Sequence, residues 1–169
     1  MVLILSMFLG CGARVTTVKA PSPMDVSLAA ARNNLDDRQV TALPDPLLDR
    51  ISAQLVARNL SPSVVPLSAI SSTRLTARRL AVLSDDGAPL VLLVETEAMY
   101  TTQMEGRLRW TVSVTLSLDP ADGEPTTSDF SVPVFLQFQH QDADDALLGA
   151  APIIERHVGY LLDEYLSGL

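Results

Sequence analysis

The sequence is poor in the residues on which most catalytic and metal-binding sites depend. Its 169 residues include one cysteine, and only 5% of the residues are aromatic. A single cysteine excludes an internal disulfide and a multi-cysteine metal cluster within one chain. No serine lies in a G-x-S-x-G motif, and no glycine-rich phosphate loop occurs. We therefore predict a protein that is not an enzyme and that holds no cofactor.

Positive charge is also scarce. The chain has 12 Lys and Arg against 20 Asp and Glu, which gives a net charge of −8. Nucleic acids and anionic membrane surfaces select for basic proteins. We therefore expect no nucleic-acid partner.

The apolar run at the start of the sequence is short. Only Ser6 interrupts the run Val2–Leu9, which falls far short of the roughly twenty residues that a membrane-spanning helix needs. Such a run is typical of the apolar core of a secretory signal. No Lys or Arg precedes it, and a translation start further upstream would account for that.

The residues Phe8-Leu9-Gly10-Cys11 resemble the lipobox of bacterial lipoproteins, with Phe8 where that pattern usually has leucine. The resemblance implies that residues 1–10 are a signal peptide and that Cys11 becomes the lipidated first residue. Several acyl chains, at about 0.8 kcal/mol per buried CH₂, make a lasting anchor. Gly12 follows the cysteine, without the aspartate of enteric inner-membrane retention, so we expect anchoring at the periplasmic face of the outer membrane. The alternative is a buried N-terminal strand that ends in an inert cysteine.

Apolar and polar residues alternate between Leu90 and Phe138, which predicts three strands with one shared apolar face. Val91 and Leu93 are apolar as well, so the first of these strands is expected to be central and covered on both faces where it starts. Pro133 cannot donate to a ladder, which places the third strand at an edge or a bulge. The even-numbered side chains expected to face inward are Leu90, Leu92, Val94, Ala98, Tyr100, Leu108, Trp110, Val112, Val114, Leu116, Leu118, Phe130, Val132, Val134, Leu136 and Phe138.

Three helices are expected to cover that apolar face. Asp45 as N-cap and Pro46 at the first helical position begin one, which ends near Asn59. Its apolar stripe is Leu47, Leu48, Ile51, Leu55 and Val56. A second helix is predicted from Ser68 to Leu83, and a third begins at Asp142, Asp144 and Asp145 and contains Pro152, which predicts a kink or two abutting helices.

Shorter segments complete the predicted order. Val26–Ala31 and Val64–Val65 are expected to be strands, and residues 11–24, with Pro21 and Pro23, a tether. The order is β-α-β-α-β-β-β-α. We predict an α+β two-layer sandwich over residues 25–169, in which a mixed sheet with a C-terminal antiparallel meander is covered on one face by helices.

This order resembles small α/β domains of envelope lipoproteins. They are the curli secretion lipoprotein CsgG, the N-terminal domain of TolB, the activator lipoprotein LpoB and, more loosely, the assembly lipoprotein LptE. In the first three, a strand like Leu90–Glu95 precedes a long hairpin. The turn of that hairpin resembles Leu118-Asp119 to Gly123-Glu124. The resemblance covers residues 24–167 and rests on topology and one turn. It implies a binding or assembly role.

Two acidic segments contain residue types that can bind a cation. His140 with Asp142, Asp144 and Asp145 could bind a metal, but acidic residues at a helix N-terminus also complement the helix dipole. The segment that holds Asp119, Asp122 and Glu124 lacks the regular ligand spacing of an EF-hand. We favour the helix start and the hairpin turn, and predict no metal.

The odd-numbered face of the meander is the candidate functional surface. If all helices cover the even face, the odd face stays open to solvent. Glu95 and Glu97 on one strand and Arg107 and Arg109 on the next predict cross-strand ion pairs, and Phe135 is an aromatic residue among polar ones. We predict that these five residues, or the Pro133 edge, bind an envelope protein. The alternatives are an ordinary solvated face and, if a deep apolar pocket exists, a site for a small ligand or glycan.

Overall fold

The computed structural model describes residues 22–33, 40–69, 76–84, 87–104 and 106–168. Residues 1–21, which contain the predicted signal peptide, Cys11 and most of the predicted tether, lie outside the described residues. So does the polar stretch 34–39.

The described residues form six strands, three α-helices and one short 3₁₀ turn. The strands are β1 (Met24–Asn33), β2 (Val40–Thr41), β3 (Leu60–Val64), β4 (Leu90–Met104), β5 (Arg107–Pro120) and β6 (Thr126–Leu136). The helices are α1 (Asp45–Val56), α2 (Thr76–Ser84) and α3 (Ala143–Ser167), and Leu67–Ala69 is the 3₁₀ turn. Apart from the two-residue β2, this is the predicted order.

The six strands form one mixed sheet in the order β2-β1-β4-β5-β6, and β3 also pairs with β1. β1 is parallel to both β3 and β4, whereas β4, β5 and β6 form the antiparallel meander. The α+β sandwich is therefore confirmed. β4 is central and β6 is an edge strand, as the apolar start of β4 and Pro133 predicted.

The main core lies between the even-numbered face of the meander and helices α1 and α3. It contains Leu90, Leu92 and Val94 of β4, together with the even-numbered apolar residues of β5 from Val112 to Leu118. Helix α1 contributes Leu47, Ile51 and Leu55, while Val56 is 61% exposed. The alternation rule is confirmed over most of the meander.

The alternation fails at the far end of the sheet. Tyr100 and Phe138 were expected to face inward, but they are 48% and 57% exposed. Tyr100 still lies opposite Trp110 and has not changed face; it is the last residue before the register of β4 against β5 shifts, between Tyr100 and Thr102, where the simple alternation ends. Phe138 lies two residues beyond the end of β6, so strand periodicity no longer governs it.

Helix α2 does not cover the even face. Its Leu80 and Leu83 pack on Val91 and Leu93, which belong to the odd face of β4, and on two alanines of β1. The prediction that the second helix covers the even face is wrong, because the apolar periodicity of a helix does not indicate which face of a sheet the helix covers. The two faces of β4 are therefore both buried where the strand begins.

The helix ends agree with the predictions in part. Helix α1 begins one residue earlier than predicted, with Pro44 at the N-cap position and without a side-chain capping bond. Helix α3 begins with a capping box, in which Asp142 accepts from the backbone of Asp145 and the Asp145 side chain accepts from the backbone of Asp142. It continues through Pro152 as one helix of 25 residues, so the alternative of two abutting helices is wrong.

Candidate interaction surface

Glu95 is not on an open surface. Its side chain is 4% exposed beneath α2, where Arg79, which is fully buried, donates to it through Nη1. Thr76 donates its hydroxyl to the other carboxylate oxygen, and Arg79 Nη1 also lies 3.1 Å from Asn33 Oδ1. The expectation that the odd face is open along its whole length is therefore wrong at Glu95.

The predicted cross-strand ion pairs are not formed. The register places Glu95 opposite Thr115 and Glu97 opposite Ser113. Arg107 lies opposite Met104, and Arg109 lies opposite Thr102. Apolar–polar alternation does not specify this register, because the register depends on the length of the hairpin connection and on the bulge after Tyr100.

Beyond Glu95 the odd face is not covered by α2 in the described part of the chain. We call the residues Met99, Arg109, Thr111, Pro133 and Phe135 the open face. Thr111 lies opposite both Met99 and Pro133, and Arg109 lies opposite Phe135. Directly opposed residues of antiparallel strands have their Cβ atoms about 4.5–5.5 Å apart, so these side chains form one continuous patch.

The open face combines exposed apolar groups with a cation. Met99 and Phe135 are 48% and 50% exposed, and Pro133 is exposed on β6, two residues before Phe135. The guanidinium of Arg109 has no ion-pair partner among the described residues, and its Nε is buried without a hydrogen-bond partner there. Aromatic residues, Met and Arg are the types enriched in protein interfaces.

Two shallow grooves lie outside the open face. One, of about 380 Å³, separates α2 from the strands β5 and β6 and is lined by Thr76, Ala77, Leu80, Thr115, Pro125, Thr127 and Asp129. The other, of about 270 Å³, lies beside the end of α3 and is lined by Leu118, Thr126, Leu161, Glu164, Tyr165 and Gly168. The first groove lies at the lower end of the size range of ligand pockets, about 300–1,000 Å³, and the second lies below it. Each is lined by a single charged residue, Asp129 and Glu164 respectively, so neither has the several converging polar groups that favour a ligand site.

The acidic residues near His140 have structural partners. Asp142 and Asp145 form the capping box of α3, and Asp144 forms an ion pair with Arg32 at the end of β1. The ring of His140 stacks on Phe138 with centroids 5.6 Å apart. His157, the other histidine, is half-buried and stacks on Phe130 at 4.0 Å.

The acidic segment from Asp119 to Glu124 lies at the end of β5, and one of its residues has a structural hydrogen bond. Asp119 accepts a hydrogen bond of 2.5 Å from the hydroxyl of Ser84, which joins the end of α2 to the meander. Asp122 and Glu124 are exposed. In the described ranges, no three His, Cys, Asp or Glu side chains are grouped closely enough to hold a metal ion.

Sequence reasoning missed the role of Arg79. A signal was available, because Arg79 lies four residues before Leu83 and three after Thr76, on the side of the helix that packs. An arginine on the apolar side of a short helix indicates a buried carboxylate partner. None of the described helices has the length and hydropathy that crossing a membrane requires.

No protein-family model matches the sequence, and no curated protein matches it. Several solved structures are similar. The PelC dodecamer from Paraburkholderia phytofirmans is 17% identical with a TM-score of 0.43, over 80% of this chain and 89% of that chain. Lipoprotein GNA1162 from Neisseria meningitidis is 13% identical with a TM-score of 0.43, over 79% and 97%.

A third similar structure is the rare lipoprotein B from Shewanella oneidensis, at 9% identity and a TM-score of 0.33 over 85% of this chain and 92% of that chain. All three TM-scores are below 0.5. These similarities therefore assign neither a family nor a function to the chain.

Proposed function

We propose that the protein is a lipoprotein anchored through Cys11 to the periplasmic face of the outer membrane. It acts there as a non-enzymatic accessory or assembly factor and binds an envelope protein through the open face. The lipobox-like residues Phe8–Cys11 support the anchor. The fold supports the rest of the proposal, because the described core leaves one half of a sheet face uncovered.

The observation that carries the proposal is the composition of the open face. Met99 and Phe135 expose about half of their surface, and Met99 lies between the polar odd positions Glu97 and Thr101 of β4. Isolated exposed apolar residues are ordinary, but two of them flanking an arginine on adjacent strands form the kind of patch that binds partners. Of the five residues predicted to bind a partner, Arg109 and Phe135 belong to this patch, Glu97 and Arg107 border it, and Glu95 supports α2.

The test is a double substitution, Phe135→Ala with Arg109→Glu, in the full chain expressed in a bacterial host. We expect the amount of co-purified envelope partner to fall by about ten-fold or more, because aromatic and arginine anchors dominate binding energy. The measurement is quantitative mass spectrometry of the purified complex. Thermal unfolding of the variant verifies that the sheet is intact.

Tyr160→Ala is the matched control. Tyr160 is also a large exposed aromatic residue, 62% exposed, but it lies on α3, away from the open face. It should leave the set of partners unchanged. An unchanged set in the double variant as well would exclude the open face as the binding surface.

A further inference from the structure

We propose that the open face recognises a protein segment that presents a carboxylate beside an apolar side chain. This inference rests on the proposed function and adds the chemistry of the partner to it.

The first argument is the local sign of charge. Arg107 and Arg109 are two residues apart on β5, so their side chains share the odd face. Neither forms an ion pair with another described residue, and Glu97 lies two residue rows away from Arg109. The whole chain has a net charge of −8, so this end of the sheet is a cationic patch on an acidic protein. Charge complementarity favours an acidic partner segment.

The second argument is the hydrogen-bonding state of Arg109. Its Nε–H is buried and lacks an acceptor among the described residues. Because Nε is buried, it is closed to an incoming group, whereas the terminal nitrogens Nη1 and Nη2 are not among the buried unpaired atoms of the described residues. These two nitrogens can donate to both oxygens of one carboxylate, which is the strong, two-point mode of arginine recognition. A partner carboxylate would therefore pair with the exposed end of the guanidinium.

The third argument concerns the apolar neighbours. Phe135 lies directly opposite Arg109, and Met99 lies one row further along the sheet. Apolar contacts around a charged pair exclude water and strengthen it. The partner segment should accordingly place an apolar side chain within a few residues of its carboxylate.

Pro133 makes a different mode of binding unfavourable. β6 is an edge strand, and an edge strand can accept a further strand from a partner through backbone hydrogen bonds. Pro133 lies within β6 and has no N–H to donate. Recognition through the side chains of the face is therefore favoured over strand addition.

The experiment uses site-specific photo-crosslinking in the full, membrane-anchored chain. Phe135→benzoylphenylalanine probes the open face, and Tyr160→benzoylphenylalanine is the control on α3. Mass spectrometry identifies the crosslinked peptide. We expect one envelope protein, crosslinked within a few residues of an Asp or Glu. The yield of this crosslink should fall by about ten-fold in an Arg109→Gln background.

A second background keeps the test decisive if Arg109→Gln perturbs folding. Arg107 is exposed, so Arg107→Gln should leave the fold intact and still lower the crosslink yield. Higher salt should lower the yield further in the unsubstituted chain, since the pairing is electrostatic.

The outcomes separate the inference from the proposed function. A reproducible protein partner whose crosslinked segment lacks carboxylates, or whose yield does not change in either arginine variant, overturns the acidic-segment inference alone. A yield at position 135 no higher than at position 160 overturns both. Crosslinks only to lipid, or only to a second copy of this chain, also overturn the inference.

Discussion

At the scale of single residues, the buried pair of Arg79 and Glu95 has the largest expected effect on stability. Both side chains are almost fully removed from solvent, and the carboxylate also accepts from Thr76. Removing two charges from water is unfavourable unless each charge is paired and hydrogen-bonded. The pair therefore fixes where α2 sits, because α2 cannot leave the sheet without separating the two charges.

We predict that Arg79→Met lowers the free energy of unfolding by about 3–5 kcal/mol, since it leaves Glu95 buried without its cation. The double variant Arg79→Met with Glu95→Leu should recover most of that loss. Urea denaturation measures both. Arg78→Met is the matched control, because the neighbouring Arg78 is exposed and should change stability little. Equal losses in the single and the double variant would contradict the assigned pairing.

A second charged contact joins the ends of two helices. Arg58, two residues after the end of α1, donates Nε and Nη2 to the two oxygens of Asp163 at 2.7 and 2.9 Å. The same guanidinium donates from Nη1 to two oxygens of Gln54, the backbone carbonyl oxygen and the side-chain Oε1. The hydrogen bonds from Arg58 hold the pKa of Asp163 below its usual range, and the positive charge of Arg58 acts in the same direction.

The lowered pKa of Asp163 predicts the pH range of its effect. A carboxylate with a depressed pKa in the folded state stabilises the fold above its unfolded pKa, and that stabilisation is lost as the pH falls through the folded value. Asp163→Asn should therefore lower the thermal midpoint slightly at pH 7. The difference from the unsubstituted chain should begin to shrink as the pH falls below about 4, the unfolded value, and should disappear below the lower folded value. The effect is small because Asp163 is 60% exposed.

Glu164→Gln serves as the control for this pH series. Glu164 is the adjacent exposed acid on α3 and forms no ion pair with another described residue. Its variant should follow the unsubstituted protein at every pH. If Asp163→Asn shows the same difference at pH 3 as at pH 7, the ionised carboxylate is not the cause.

At the scale of elements, α3 packs closely on the sheet because of a glycine. A Cβ atom added at Gly149 would lie 2.8 Å from Cγ1 of Val134 on β6. That distance is shorter than a van der Waals contact, and the opposing atom belongs to a stiff β-branched side chain. Glycine is unfavourable inside a helix by about 1 kcal/mol relative to alanine, so its presence there reflects the close approach of α3 to β6.

We predict that Gly149→Ala destabilises the protein, by roughly 1 kcal/mol net. Overpacking costs about 1–3 kcal/mol, and the gain in helix propensity offsets about 1 kcal/mol of it. The control is the same substitution in a Val134→Ala background, where the opposing methyl groups are absent. There Gly149→Ala should be neutral or stabilising. A destabilisation of the same size in both backgrounds would show that the contact with Val134 is not responsible.

At the scale of the whole molecule, the sheet has two different faces. Its even face is covered by α1 and α3, whereas its odd face is divided between α2 and the open face. Both parts of the odd face belong to one sheet. A partner bound at the open face would therefore contact strands whose other face forms the main core.

The proposed lipid anchor also concerns the whole molecule, and it has its own test. If acyl chains on Cys11 supply the attachment, Cys11→Ser should move the protein from the membrane fraction to the soluble periplasmic fraction. Fractionation followed by immunoblotting measures this, and the mass of the N-terminal peptide of the native protein reports the lipid. Ser22→Ala, in the predicted tether, is the control. Membrane retention of the Cys11→Ser protein would contradict the anchor.

The sequence by itself determined the order of the elements and the inward face of the meander. Alternation in β4, β5 and β6 is a local property, because successive side chains on a strand point to opposite sides. Leu92, Val114 and Val132 are buried for that reason, and Pro133 lies at an edge because it has no N–H. None of these inferences depends on which elements are neighbours in space.

The tertiary structure alone decided which side of the sheet each helix covers and which residues lie opposite each other. The position of α2 over Glu95 depends on a pairing with Arg79 that is 16 residues away along the chain. The bulge after Tyr100 changes the register of every later pair in that hairpin. Arg109 lies opposite Phe135 through the separate register of β5 with β6, and Glu95 is buried by the pairing with Arg79. Local sequence patterns encode neither of these contacts.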